Sequence, residues 1–403
     1  MSMILESLIH AVSVGLDPNS MVQDSITQAG RRIGIVSYDF DPPIGGLGVL
    51  VRTYVEELRK QFPEDTYTVV SPSANADEFG SRLGRSRSRK SGGCPLFSLA
   101  LFFSLHRIVR KYRFDLLHVH AGSGGVFLLR KPACKLVVTS HHTYSQEKRL
   151  VYGNAPIKKL WKSCMAFLES RTYHLADAVM CVSTDTAEEI IGQYKVPSSR
   201  VCVIENPVHV PHAEALQLAS KNPNTILFVG RLEARKGILL LLEAFEMLRK
   251  DIPTAKLRLV GSNLLGKQLN SVMKSRGLTD AVTLLGFVHD PYRFRETAEA
   301  TMIVVPSILE GFGLVAAEAM MIGTCVISSD APGLRSIVDS GRTGVVFPVG
   351  NARACADAMK KVMQDHSFRE GIVREALSEA KIRFNVERQT RDTSDVYTRV
   401  LGT

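Results

Sequence analysis

A chain of 403 residues with 45% hydrophobic content exceeds what a single core usually fills, so two domains are the starting expectation. No apolar run reaches the roughly 18–20 residues that a membrane-spanning helix needs; the longest, Pro95 to Leu105, is too short, and the first thirty residues lack the basic start of a signal peptide and carry Glu6. The net charge of +10 is concentrated, with fourteen Lys and Arg between Arg82 and Arg149 against only Asp115 and Glu147, a field that favours an anionic partner such as a phosphorylated acceptor, an acidic lipid surface or nucleic acid.

Residues 1–30 read as a short extension. Arg32 to Tyr38 is an apolar strand, followed by the glycine-rich Asp41-Pro-Pro-Ile-Gly-Gly-Leu-Gly and a helix from Val49 to Gln61. Tyr67 to Pro72 is a second strand, and the Arg/Ser/Gly run from Gly80 to Gly93 has no periodicity and reads as a loop. Phe97 to Tyr112 has helical spacing with a basic tail. Strands Leu116 to His120, Lys135 to Ser140 and Ala178 to Ser183 follow, with a helix from Pro156 to Leu175 before the last, and Val201 to Ile204 closes the half. Each strand is a continuous apolar run, as a parallel sheet covered on both faces requires.

Residues 208–224 have little pattern and read as an interdomain linker. The alternation then restarts with strand Thr225 to Gly230, helix Gly237 to Arg249, strand Lys256 to Gly261, helix Leu265 to Arg276, strand Val282 to Gly286, helix Pro291 to Glu299 and strand Thr301 to Pro306. Helix Gly313 to Met321 and strands Cys325 to Ser328 and Gly344 to Phe347 come next. The expected fold is α/β: a first domain over 31–207 and a second over 225–385, both doubly wound and Rossmann-like, facing a cleft at the carboxyl ends of their strands. The seven cysteines form no CxxC pair and several lie in apolar runs, so they read as reduced, buried thiols of a cytoplasmic protein.

Two clusters in the second half carry chemistry. After strand Thr301 to Pro306 the chain reads Glu310-Gly-Phe-Gly-Leu314, and a small-residue helix bearing Glu318 follows. The glycines let the backbone approach a ligand, and the first-turn N–H groups suit a phosphate. The two carboxylates suit hydroxyls, as two sugar rings of a nucleotide-sugar would offer. The second cluster, Gly230-Arg231-Leu-Glu-Ala-Arg-Lys236-Gly, again joins strand to helix, and its cations can neutralise a diphosphate and steady it as a leaving group. Either cluster alone is compatible with solvated loop charges; together in one α/β half they point to a donor site.

Gly230-Arg-Leu with Lys236-Gly, Glu310-Gly-Phe-Gly-Leu with Glu318, and Pro332-Gly-Leu resemble the retaining glycosyltransferases of the GT-B fold called group 1 or family 4. Pro43-Ile-Gly-Gly, Asp115-Leu-Leu-His-Val-His, Thr139-Ser-His141 and Val203-Ile-Glu-Asn-Pro-Val agree, and the likeness spans about residues 31 to 400. It implies that Arg231 and Lys236 hold the donor diphosphate, that Glu318 takes the ribose hydroxyls, and that Glu310 with the backbone of Gly311, Phe312, Gly313 and Leu314 holds the transferred sugar and phosphate. Gly46 would face the donor across the cleft, and Val288 would contact the base by its backbone. His141, with His142 beside it as the alternative match, would steady the sugar or the acceptor. The helix from about Val386 to Leu401, within residues 386–403, would cross back to the first domain. Where the family usually has Pro-Asn-Gly before the linker, this chain has Glu205-Asn-Pro.

The same likeness implies retention without a protein nucleophile, the donor's own phosphate oxygen taking the acceptor proton. It also implies no cofactor and no required metal; Asp39-Phe-Asp41 spells a DxD triplet in the wrong domain and reads as coincidence. His118 and His120 end a strand at the same rim and read equally as acceptor-cleft or structural residues. The Phe97 to Tyr112 helix reads as a cover for its sheet, with its basic end and, better, the Arg82 to Lys90 loop as candidate contacts for phosphate or an acidic membrane. The expected activity is hexose transfer from a UDP- or GDP-sugar to a lipid, glycan or small-molecule acceptor, anionic or membrane-associated, at the inner face of a membrane; nucleic acid is disfavoured. A nucleotide-sugar epimerase and a non-enzymatic basic binding protein are the competing readings.

Overall fold

The computed structural model describes residues 30–43, 46–73, 75–77, 93–122, 125–151 and 156–402. The N-terminal extension and the Arg82 to Lys90 loop lie outside the described residues.

Two six-stranded sheets, parallel throughout, organise the chain. The first contains β1 (Arg32–Val36), β2 (Thr66–Val70), β3 (Leu116–Ala121), β4 (Lys135–Ser140), β5 (Ala178–Cys181) and β6 (Val201–Val203) in the order β2-β1-β3-β4-β5-β6. The second contains β7 (Asn222–Val229), β8 (Lys256–Val260), β9 (Val282–Gly286), β10 (Ala300–Val305), β11 (Cys325–Ser329) and β12 (Val345–Phe347) in the order β12-β11-β10-β7-β8-β9. Central strands β3 and β10 are buried along their whole length, which explains their lack of apolar/polar alternation. Both sheets are the doubly wound α/β halves expected from the pattern.

In the first half, α1 (Gly46–Gln61) packs with β1 and β2 on one face of the sheet, and α2 (Gly93–Tyr112) covers the other. On that other face, α3 (Tyr144–Leu150), α4 (Pro156–Leu175) and α5 (Thr184–Gly192) complete the layer. In the second half, α6 (Ala213–Gln217), α7 (Ile238–Asp251), α8 (Lys267–Ser275), α9 (Asp290–Glu299), α10 (Leu314–Ile322), α11 (Ala352–Gln364) and α12 (His366–Arg383) surround the sheet. In α7, Ile238, Leu241, Leu242, Phe245 and Leu248 bury one stripe at 3.6-residue spacing, and Pro253 lies just beyond its end.

Several elements differ from the sequence reading. α1 and α2 start three and four residues earlier than the apolar spacing indicates, because first turns of Gly46-Leu-Gly and Gly93-Cys-Pro-Leu carry no periodic signal. α3 and α5 went unrecognised, as did α11 and α12. The 208–224 stretch is not patternless: α6 forms there and packs on α9 and α10, and β7 begins at Asn222. Among the cysteines, Cys181, Cys325 and Cys355 are buried free thiols, but Cys164 is exposed on α4 and Cys134 and Cys202 are only partly covered.

The last helix, α13 (Val386–Leu401), lies on the first half, against α1 and β4. Its buried face is mostly polar, with Gln389, Thr390, Thr393, Ser394 and Tyr397. Hydrogen bonds pair much of that face: Tyr54 Oη donates to the Gln389 carbonyl at 3.1 Å, Arg31 Nη2 donates to Ser394 Oγ at 2.8 Å, and the Tyr397 hydroxyl meets His118 Nδ1 at 2.6 Å, while Gln389 Oε1 is buried without a partner among the described residues. Where the chain crosses, Arg383 Nε donates to Glu205 Oε2 at 2.7 Å, so the Glu205-Asn-Pro departure supplies an ion pair between the halves.

Candidate active site

The carboxyl ends of the two sheets meet. A Cβ added to Gly311 would lie 2.1 Å from the His141 carbonyl oxygen, and one added to Gly46 would lie 3.5 Å from Leu314 Cδ1. Asp185, in the first turn of α5, accepts from the Gly333 N–H at 2.8 Å and from Arg335 Nε at 2.6 Å. The two predicted sets, one after β4 and one around Glu310, therefore face each other at contact distance.

On the second-half side, the loop after β7 turns through Gly230 into Lys236 and then Gly237, whose φ of 71° and the Pro306 carbonyl 1.9 Å from any Cβ both demand glycine. That close approach brings Lys236 to the loop after β10. Lys236 Nζ donates to Glu310 Oε1 at 2.5 Å, and Ser307 Oγ donates to the same oxygen at 2.7 Å. Arg235 ties its guanidinium to the Leu309 carbonyl at 2.8 Å, while the more exposed Arg231 pairs with Glu233 at 3.1 Å.

Burial works to raise the Glu310 pKa, but the Lys236 and Arg235 charges and the two hydrogen bonds outweigh it and hold the carboxylate ionised, below its ordinary range. Burial pulls the Lys236 ammonium below its ordinary value while Glu310 opposes that pull.

Gly313 has φ 99° and heads α10 without a side-chain cap, so the first-turn amides of that helix open toward the cleft side where Gly46 lies. Phe312 is buried edge-on against Phe384, 5.6 Å between centroids, which fixes the loop from beneath. Glu318 sits further along α10 and is held by Arg293 through contacts of 2.5 and 3.1 Å. Val288, half-buried, precedes α9, which carries Arg293. Arg293, Arg235, Ser307, Asp185 and Arg335 were missed by sequence reasoning. Only the i, i+3 spacing of Asp290 and Arg293 on one helix hinted at a charged cluster there.

On the first-half side, three histidines form a ladder. His118 Nε2 meets Thr139 Oγ1 at 2.6 Å, His120 Nδ1 meets His141 Nε2 at 3.0 Å, and the His120 and His141 rings stack at 5.3 Å. His142 turns instead to Glu147 at 3.4 Å, and Glu147 is also bound by Lys162. Asp39 of the DxD triplet accepts the Gly48 N–H at 3.1 Å in the first turn of α1, and Asp41 pairs with Arg52 at 3.3 Å. Among the described residues no group of three or more His, Cys, Asp or Glu is placed to hold a metal ion.

Burial pushes His118 and His141 down to about 3 and His120 well below the ordinary 6.5. The folded protein keeps all three neutral, whereas the unfolded chain takes up protons as pH falls through 6.5. Stability is therefore intact above pH 6.5 and declines below it, by about 1.4 kcal/mol per pH unit for each group that stays neutral in the folded protein. Denaturant unfolding followed from about pH 7 to 4.5 should show this decline, shallower by about one proton in His120→Gln. An unchanged slope in that variant would contradict the assignment.

Two facing Rossmann-like halves, with cations, carboxylates and an uncapped helix start at their junction, form the arrangement called GT-B. The sequence profile "Glycosyltransferase Family 4" matches residues 44–210 and the profile "Glycosyl transferases group 1" matches residues 214–380. The chain belongs to the group 1/family 4 glycosyltransferases. It is 28% identical over 313 residues to a D-inositol 3-phosphate glycosyltransferase of Nocardioides, covering 71% of this chain and 67% of that one. Its fold resembles sucrose-phosphate synthase of Thermosynechococcus elongatus (TM-score 0.71, 22% identity, 92% of this chain and 99% of the other). It also resembles Anabaena HepE solved with UDP-glucose (TM-score 0.66, 19% identity, 91% and 99%).

Proposed function

We propose that this glycosyltransferase moves a hexose from a UDP- or GDP-sugar to an anionic or membrane-associated acceptor, with retention and without a required metal. The observation that carries the reading is the junction of Lys236, Glu310 and the uncapped start of α10 across from His141 and Gly46. In this reading Arg231 and Lys236 bind the donor diphosphate, supported by the backbone amides of Gly311 to Leu314 at the start of α10. Glu310 accepts hydrogen bonds from the transferred sugar, and Glu318 from the ribose, with the base beside Val288. His141, held by His120, contacts the sugar or the acceptor.

The acceptor oxygen forms its bond to the anomeric carbon on the face from which the diphosphate departs. The bond from that carbon to the phosphate oxygen breaks, and the acceptor proton passes to the departing phosphate. The cations offset the charge that develops there, which is where electrostatic stabilisation has most effect. One solved neighbour of the fold supports the donor class, since HepE was solved with UDP-glucose. The anionic acceptor is favoured by the local excess of cations between Arg82 and Arg149 and by the inositol phosphate named for the Nocardioides relative. Free thiols at all six described cysteines fit the cytoplasmic side of a membrane.

A panel of nucleotide-sugars, read by thermal stabilisation and by hydrolysis, identifies the donor. With that donor, Glu318→Ala should weaken nucleotide binding by about ten- to a hundredfold, the loss of hydrogen bonds to a charged group. Inorganic pyrophosphate, which has no ribose, should bind the variant as it binds the parent. Equal losses for both ligands would remove Glu318 from the ribose.

A further inference from the structure

Helix α4 is buried on its inner side at Met165, Glu169, Thr172 and Tyr173, yet its outer side is apolar. Ile157, Leu160, Trp161 and Phe167 form a stripe at helical spacing, with Ile157 84% and Phe167 73% exposed. α2 repeats the arrangement: Phe97, Leu101 and Leu105 face the sheet while Leu96, Leu99 and Phe103 face outward, Phe103 at 77% exposure.

The two stripes belong to one surface. Residues of α2 and Tyr173 of α4 pack in a single core against Val119, Val138 and Val179, so both helices cover the same face of the sheet. The chain between them joins both: Phe127 N donates to Ser98 Oγ at 3.0 Å, Leu128 N donates to Thr172 Oγ1 at 2.9 Å, and Arg130 lies over the Phe102 ring at 5.6 Å.

Both apolar ends also point to the cleft side. α2 ends at Tyr112, just before β3 begins, and α4 ends at Leu175, just before β5 begins. Their C-termini are therefore at the amino edge of the sheet. Each 20-residue helix is about 30 Å long, so the N-terminal stripes sit at the opposite edge, the one that carries His120 and His141.

Soluble monomers rarely leave apolar surface of this extent uncovered, and the charge around it selects the occupant. α2 contains no Asp or Glu, and the single acid of α4, Glu169, is buried. The exposed cations Arg107, Arg110, Lys159 and Arg171 stand on the same two helices. Exposed apolar and aromatic groups on two helices that carry exposed cations further along and no exposed acid match the interfacial region of a bilayer with anionic head groups.

We propose that the outer faces of α2 and α4 dock this enzyme on an anionic membrane surface, placing the cleft where an acceptor anchored in the bilayer can enter. This deepens the reading that the acceptor is membrane-associated. Trp161 is the only tryptophan of the chain and reports directly.

The full-length protein is titrated with vesicles of phosphatidylcholine containing phosphatidylglycerol, and with phosphatidylcholine alone. Trp161 emission should move to shorter wavelength and the protein should co-sediment with the anionic vesicles. Binding should be at least about tenfold weaker on the neutral vesicles, and weakened about as much by Leu160→Ser with Phe103→Ser, or by Lys159→Glu with Arg110→Glu. No emission change with anionic vesicles overturns the proposal, as does equal binding to both compositions. An emission change without vesicles that grows with protein concentration as a dimer forms also overturns it, assigning the face to a second copy. Nucleotide-sugar hydrolysis in solution is measured on the same samples. If hydrolysis persists without vesicle binding, the docking fails and the transferase reading stands; if vesicles bind without any hydrolysis, the docking stands and the donor chemistry fails.

Discussion

Replacing Lys236 by alanine should slow glycosyl transfer by about a hundred- to a thousandfold at saturating donor, the range for removing one preorganised group that stabilises developing charge. The ammonium is committed to Glu310 at 2.5 Å, and both side chains are mostly covered. A diphosphate entering beside α10 would compete for that ammonium, and the competition is productive only if Glu310 gains sugar hydroxyls in exchange. Lys236→Arg should rescue poorly, because a planar guanidinium does not fit a pocket shaped for one ammonium and already bordered by Arg235. Loss of the ion pair also costs stability, since Glu310 would keep its burial with one cation fewer. The two effects separate experimentally: activity is normalised to the folded fraction and measured in single turnover. If Lys236→Ala lowers the melting temperature but transfers sugar at the parental rate per folded molecule, the lysine is structural.

The clustering of charged residues in the second half was legible because those residues are local to strand ends. Arg231, Lys236, Glu310 and Glu318 each follow a strand or sit in the next helix, and a doubly wound sheet brings such points together whatever the intervening sequence. The partners of those residues were not legible. Arg293 reaches Glu318 from a helix 25 residues away, and Asp185 reaches Gly333 and Arg335 from the other half of the chain. Such pairs depend on how the halves pack, which periodicity does not encode. The histidines illustrate the same limit: the strand-end position of His120 and His141 was evident, whereas His118 proves to lie inside β3, buried between Tyr397 and Thr139. Their ladder arises from alternation across β3 and from the register of β3 with β4, which sets His120 opposite Thr139, two residues before His141. Helix α4 was located with its correct bounds, yet its exposed apolar stripe was invisible, because a stripe at 3.6-residue spacing reads as core until the buried side is known to be the other one.

A methyl group at Gly311 should separate binding from transfer. The nearest atoms to a Cβ there are the His141 carbonyl oxygen at 2.1 Å and carbon at 3.0 Å and His142 Cβ at 3.5 Å, all in the first half. Gly311→Ala therefore leaves the core of each half untouched and strikes only the junction. Two backbones meet at that point, so no side chain can move aside, and the cleft must open by about the 1 Å that is enough to cost a hundredfold in a reaction that depends on positioning. In the proposed function the nucleotide is held by the second half, so its affinity should stay within a few-fold of the parent while kcat falls about a hundredfold. Gly371→Ala is the matched control: it lies in α12 with nothing within 4 Å of the new methyl, and it should stabilise the helix by about 0.5–1 kcal/mol without altering turnover. Parallel loss of nucleotide binding in Gly311→Ala would mean that the donor loop itself had collapsed. Parental turnover would mean that the contact between Gly311 and His141 is not part of the reacting conformation.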